Sequence, residues 1–93
     1  MPYVLIVHDV QSYAAWKRVF DAAAPLRKSA GELSYELLCA EDEPNRIVHF
    51  SRWQSLAAAR RFFESAELVA IRRRAGVHAP QFHYLQQLEA AAL

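Results

Sequence analysis

The sequence predicts an α+β domain of the ferredoxin-like, split β-α-β type, with a four-stranded antiparallel sheet and the element order β-α-β-β-α-β. Three observations predict it. Apolar residues alternate between strand and helix periods in that order along the chain. A strong turn separates two adjacent strand-like runs in the middle. An eleven-residue segment also recurs without gaps: residues 11–21 and 54–64 share Gln, Ser, Ala, Ala, Arg and Phe, six of eleven positions. Each copy follows a strand containing Val-His (Val7-His8 and Val48-His49), as a β-α-β unit used twice requires.

Tyr3 to Val10 is a β-branched and aliphatic run of strand length. Ser12 is placed to cap a helix in which Tyr13, Trp16, Phe20, Ala23 and Ala24 share one face. Pro25 should bend or interrupt this helix, and Gly31 should stop it. Leu33 to Ala40 reads as the second strand and Arg46 to Trp53 as the third, joined through Glu41-Asp42-Glu43-Pro44-Asn45. Ser55 opens a helix with Leu56, Ala59 and Phe63 on one stripe. Ser65 caps a shorter one with Leu68, Ile71 and Ala75 inward, and Gly76 ends it. Gln81 to Leu88, after Pro80, is the last strand, giving the order 4-1-3-2 across the sheet.

Strand parity divides the sheet into two faces. One set holds Tyr3, Leu5, Val7, Leu33, Tyr35, Leu37, Cys39, Val48, Phe50, Phe82 and Tyr84. It is almost wholly apolar and is expected under the helices, with Cys39 an inert core thiol. The other set mixes Val4, Ile6, Leu38, Ile47 and Leu85 with His8, Glu36, His49 and His83. Wet aliphatic surface costs about 25 cal/mol per Å², so this second face should be covered. The simplest cover is another copy of the same sheet, which makes the expected assembly a homodimer.

The chain has 93 residues and is expected to be one domain spanning 1–93. A 54% hydrophobic content is high for this length and agrees with more than one buried surface. The single cysteine excludes an intrachain disulfide, and with four scattered histidines it excludes a structural zinc finger. A formal charge of +1 gives no whole-chain footprint for nucleic acid. No apolar run approaches a membrane span, and no signal peptide is evident. A soluble cytoplasmic protein is therefore expected. With only Gly31 and Gly76 there is no phosphate-cradling loop, and neither a nucleophile elbow nor HExxH occurs.

The run His8-Asp9-Val10 into Tyr13, Trp16, Phe20 and Asp21 resembles the antibiotic biosynthesis monooxygenase-like domains of the dimeric α/β-barrel superfamily. The likeness continues through Pro44-Asn45-Arg46-Ile47-Val48 and Trp53, then Ala59-Arg60, Phe62-Phe63, Ser65, Glu67-Leu68 and Ala75-Gly76-Val77. The resemblance implies a homodimer and a cofactor-independent monooxygenase that oxidises aromatic or polyketide-type molecules, with neither metal nor flavin. The haem-degrading branch places an Asn, a Trp and a His where this chain holds His8, Phe62 and Arg72, which argues against haem degradation. The Asn, Trp, Arg and Tyr set of the anthrone-oxidising branch has no complete match here.

His8, His49 and His83 share one parity and are the candidate catalytic residues. An imidazole with an unperturbed pKa near 6.5 suits abstraction of a proton from a phenolic or enolisable substrate. A buried, hydrogen-bonded role in a dimer seam is the competing reading. A three-histidine metal site is a further alternative, but no carboxylate stands ready to support it, and no metal is expected. Tyr13, Trp16, Glu36, Trp53, Phe62 and Arg72 are the candidate ligand-binding residues. At helical spacing Tyr13 and Trp16 equally suit a core. A non-catalytic homodimeric module that binds a small apolar ligand, or only assembles, is the alternative function.

Overall fold

The computed structural model describes residues 1–93. Its elements are β1 (Pro2–Val10), α1 (Tyr13–Ala22), α2 (Ala24–Ala30), β2 (Glu32–Ala40), β3 (Glu43–Trp53), α3 (Leu56–Phe63), α4 (Ala66–Arg74) and β4 (Val77–Gln86). All strand pairs are antiparallel, in the order β2-β3-β1-β4. This is the ferredoxin-like arrangement and strand order that the sequence predicts.

Local chemistry explains the boundaries. Ser12, Ser55 and Ser65 each accept a hydrogen bond from the backbone N–H three residues on, at 3.3, 3.1 and 3.2 Å. Such caps contribute about 1 kcal/mol apiece. Pro25 stands in the first turn of α2, where its missing N–H costs nothing, and Ala23 separates α2 from α1. Two strands are longer than expected. β3 begins at Glu43 and takes in Pro44 beside a register shift at Cys39/Ala40, leaving a turn of only Glu41-Asp42. β4 begins at Val77 and crosses Pro80, which an edge strand tolerates. Opposite His8, the ladder between β1 and β4 slips, and Ala79 takes a φ of 45° there.

The internal repeat is visible as two equivalent joints. The Gln11 N–H donates to the Gly76 carbonyl at 3.2 Å, and the Gln54 N–H donates to the Gly31 carbonyl at 2.9 Å. Each joint ties the start of one helical segment to the glycine that ends the other half's helices. Both glycines have positive φ, 120° at Gly31 and 75° at Gly76, where a side chain is strained. Trp16 and Phe20 in α1 are buried at the positions that Ala59 and Phe63 occupy in α3.

The faces of β1 and β3 are the reverse of those expected. Val4, Ile6, His8 and Val10 are buried, as are Ile47, His49, Ser51 and Trp53, and these pack under the helices. Tyr3, Leu5, Val7, Val48 and Phe50 stand on the open face, with Tyr3 and Phe50 stacked 4.9 Å apart. β2 and β4 are oriented as expected: Leu37 pairs with His49, and Phe82 pairs with Ile6, all on the helix side. Cys39 shares that side but lies near the sheet edge and is exposed, so it is not a core thiol. The reversal has a physical cause. The mixed face is expected beneath a second copy because it sets His, Ser and Glu among aliphatic residues, yet in β1 and β3 its polar groups other than His8 are paired inside. Trp53 Nε1 donates to Ser51 Oγ at 2.8 Å, and His49 and Glu32 bond one another. The open face remains apolar: Leu38 and Leu85, at 51% and 40% exposure, join the five β1 and β3 side chains there.

Candidate functional site

Two core clusters leave a gap between them. One gathers Val4, Ile6, Trp53, Ala59, Phe63 and Leu68; the other gathers Val10, Trp16, Phe20, Ile47 and Ala75. Between them lies a cavity of about 70 Å³ bounded by both clusters, by His8 and His49, and by Arg72. That volume is several times what one water needs and about half the ~150 Å³ of an engineered cavity that admits benzene. Its half-buried lining comes from α1 (Val19), α4 (Ile71, Arg72) and β4 (Val77, Phe82), so it approaches solvent between α1 and α4.

His8 and His49 lie diagonally on adjacent strands, because Ile6 pairs with His49 and His8 pairs with Ile47. His8 is 5% exposed, and neither ring nitrogen has a hydrogen-bond partner. Its ring packs against Trp16 at 5.2 Å. Burial, with the nearby His49 adding to it, lowers its pKa from 6.5 to about 4. His8 is therefore neutral at pH 7, and it is an unsatisfied polar group in an otherwise well-packed interior.

His49 is held from behind. Its Nε2 lies 2.9 Å from Glu32 Oε2, and Arg27 Nε lies 2.7 Å from Glu32 Oε1. Arg27 Nη1 also donates to the Phe20 carbonyl, and the guanidinium stacks 3.6 Å over the Phe20 ring. All three side chains are at most 6% exposed. Glu32 opens β2 and pairs across the sheet with Trp53, so the strand start aims it beneath α2. On its far side, the Arg27–Glu32 pair borders an open surface groove of about 510 Å³.

Arg72 Nη1 donates to the Phe63 carbonyl at 2.8 Å, and its guanidinium sits 5.0 Å from the Phe82 ring. Burial pulls its pKa downward, and no salt bridge offsets its charge.

The candidates named from the sequence divide by position. His8, His49, Trp16 and Arg72 converge on the cavity. His83 and Glu36 do not: they pair with Leu5 and Phe50 on the open face and are exposed. The three histidines therefore cannot share one metal, and no group of three or more His, Cys, Asp or Glu side chains is placed to hold one. Tyr13 is exposed and borders a separate groove with Leu38, Cys39 and Pro44. Trp53 is wholly buried against Phe62 and Phe63, and so does not cover a pocket mouth. Arg27 and Glu32 are missing from the sequence reading. The signal for Arg27 is its place on the inward stripe of Trp16, Phe20 and Ala23, at positions 16, 20, 23 and 27.

A model of the antibiotic biosynthesis monooxygenase family matches residues 11–74. Among solved structures, a Bordetella bronchiseptica protein named for the same family is 21% identical, with a TM-score of 0.78 over 95% of this chain and 97% of that one. SnoaB, a cofactor-independent oxygenase from Streptomyces nogalater, is 16% identical, with a TM-score of 0.77 over 96% and 94% of the two chains. Rv0793 from Mycobacterium tuberculosis is 21% identical, with a TM-score of 0.69 over 99% and 100%. At these identities the structural likeness establishes the fold. A search of curated proteins finds no match.

Proposed function

This chain belongs to the antibiotic biosynthesis monooxygenase family, and from that premise we propose that it is a small cofactor-independent monooxygenase acting on an aromatic or polyketide-type molecule in the cavity between sheet and helices. The observation that carries this reading is His8: a neutral imidazole, buried in an apolar cavity beside His49, with both nitrogens unpartnered. A protein interior rarely leaves such a group unpaired, and a ligand is the natural partner. The description of SnoaB as a cofactor-independent oxygenase supports the reaction class.

In this reading His49 accepts a proton from a phenolic or activated C–H group. Neutral His8 hydrogen-bonds the oxygen on which charge develops, and Arg72 supplies the positive charge facing it. The delocalised carbanion then reacts with molecular oxygen directly. Trp16 and the surrounding aromatic rings hold the flat substrate. At about 70 Å³ the cavity is smaller than such a substrate, so side chains between α1 and α4 must give way on entry. A cytoplasmic location is part of the same proposal. No helix is long and apolar enough to cross a membrane.

Oxygen uptake tests the reading. With a panel of hydroquinones and anthrones in chelator-treated buffer, the purified protein should consume oxygen in proportion to its concentration. The small cavity favours a second reading, a ligand-binding module without catalysis. Absence of turnover across the panel would overturn the oxygenase in favour of that module.

The open sheet face takes a second copy of this chain. Tyr3, Leu5, Val7, Val48 and Phe50 form a continuous apolar surface with no helix over it. Covering it from water is favourable at about 25 cal/mol per Å². Sedimentation velocity at micromolar concentration should show a dimer, and Phe50→Asp should give monomers. A monomeric unsubstituted chain would refute the assembly.

A further inference from the structure

We propose that Glu32, itself fixed by Arg27, is a positioning residue that sets the tautomer of His49 and so decides which ring nitrogen can take a proton from a ligand. The inference rests on His49 being the proton acceptor, and it adds two residues to that site. A carboxylate can only accept, so the 2.9 Å contact requires the His49 Nε2 to carry a proton and donate it. In the neutral ring this leaves the lone pair on Nδ1. Nε2 is therefore spent on Glu32, and Nδ1 is what His49 can offer the cavity it borders.

Glu32 cannot easily turn away. Arg27 holds its other oxygen at 2.7 Å, and that guanidinium is anchored in turn by the Phe20 carbonyl and the Phe20 ring. The His49 ring plane is also set from the sides. Phe20 and Tyr35 meet it edge-on, with centroids 5.1 and 5.9 Å away. The arrangement follows the logic of a nucleophile–base–carboxylate triad without its nucleophile, with the acid orienting the imidazole rather than taking its proton. Arg27 also sets an opposite charge directly against the Glu32 carboxylate, whose side chain is 5% exposed.

The test reads the tautomer itself. Long-range proton–nitrogen NMR on uniformly ¹⁵N-labelled protein at neutral pH should show His49 protonated on Nε2 and bare on Nδ1. Glu32→Gln should convert this single form into a mixture, because an amide can donate as well as accept. Glu32→Asp should shift the mixture back toward the Nε2–H form. A proton on Nδ1 in the unsubstituted protein would overturn the proposal, whether or not the variants fold. An unchanged tautomer in a folded Glu32→Gln would do the same. Since no substrate is present, this result stands apart from the oxygenase reading. Where turnover is measurable, Glu32→Gln should lower kcat about tenfold or more with KM within about twofold, the pattern of a lost orientation rather than a lost binding contact.

Discussion

Acidifying the protein from pH 7 to pH 4 should remove about 3 kcal/mol of folding stability through His8 alone. In the folded chain its pKa is about 4, whereas an unfolded histidine titrates near 6.5. Between those values the unfolded chain binds a proton that the folded one refuses, so stability falls as pH falls. The full contribution is present above pH 6.5 and lost by the time pH reaches 4. A separation of about 2.5 units converts to about 3 kcal/mol at 1.36 kcal/mol per unit. Denaturant titrations across this range isolate the effect by comparing the unsubstituted protein with His8→Leu. Relative to His8→Leu, the unsubstituted protein should lose about 3 kcal/mol between pH 7 and pH 4. Parallel curves would show that His8 is already paired or solvated.

Replacing Arg27 with methionine should cost about 3–5 kcal/mol, the usual penalty for stranding one partner of a buried ion pair. Arg27 is 5% exposed, and its loss would leave the Glu32 carboxylate with only His49 for company. It would also remove the bond to the Phe20 carbonyl and the stacking on the Phe20 ring. The double variant Arg27→Met/Glu32→Leu should be less damaged than Arg27→Met alone, because it removes the uncompensated charge as well. Equilibrium unfolding of the three proteins decides this. If Arg27→Met lost under about 1 kcal/mol, the pair would be worth no more than one on the surface.

These expectations rest on features the sequence shows unevenly. The element order, the three serine caps, the break at Pro25 and the repeat follow from short-range chemistry, and all appear in the fold. So does the existence of one uncovered apolar sheet face. Which face it is did not follow. Both faces of β1 are aliphatic, so alternation marks two sets without saying which one meets the helices. The deciding information is long-range. Glu32, His49 and Arg27 are polar residues that look like surface until the chain brings them together across 5 and 17 positions. That same blindness grouped His83 and Glu36 with His8. Their parity was read strand by strand, whereas the shared face depends on registers such as Leu5 opposite His83.

Proton abstraction by His49 within the helix-side cavity is the step on which the proposed oxygenase depends. Oxygen uptake by His49→Ala, compared with the unsubstituted protein on the same substrate, tests this most directly. Loss of a general base should slow turnover by about 10²–10⁴-fold, with the sheet dimer intact. Equal rates in the two folded proteins would place the chemistry elsewhere.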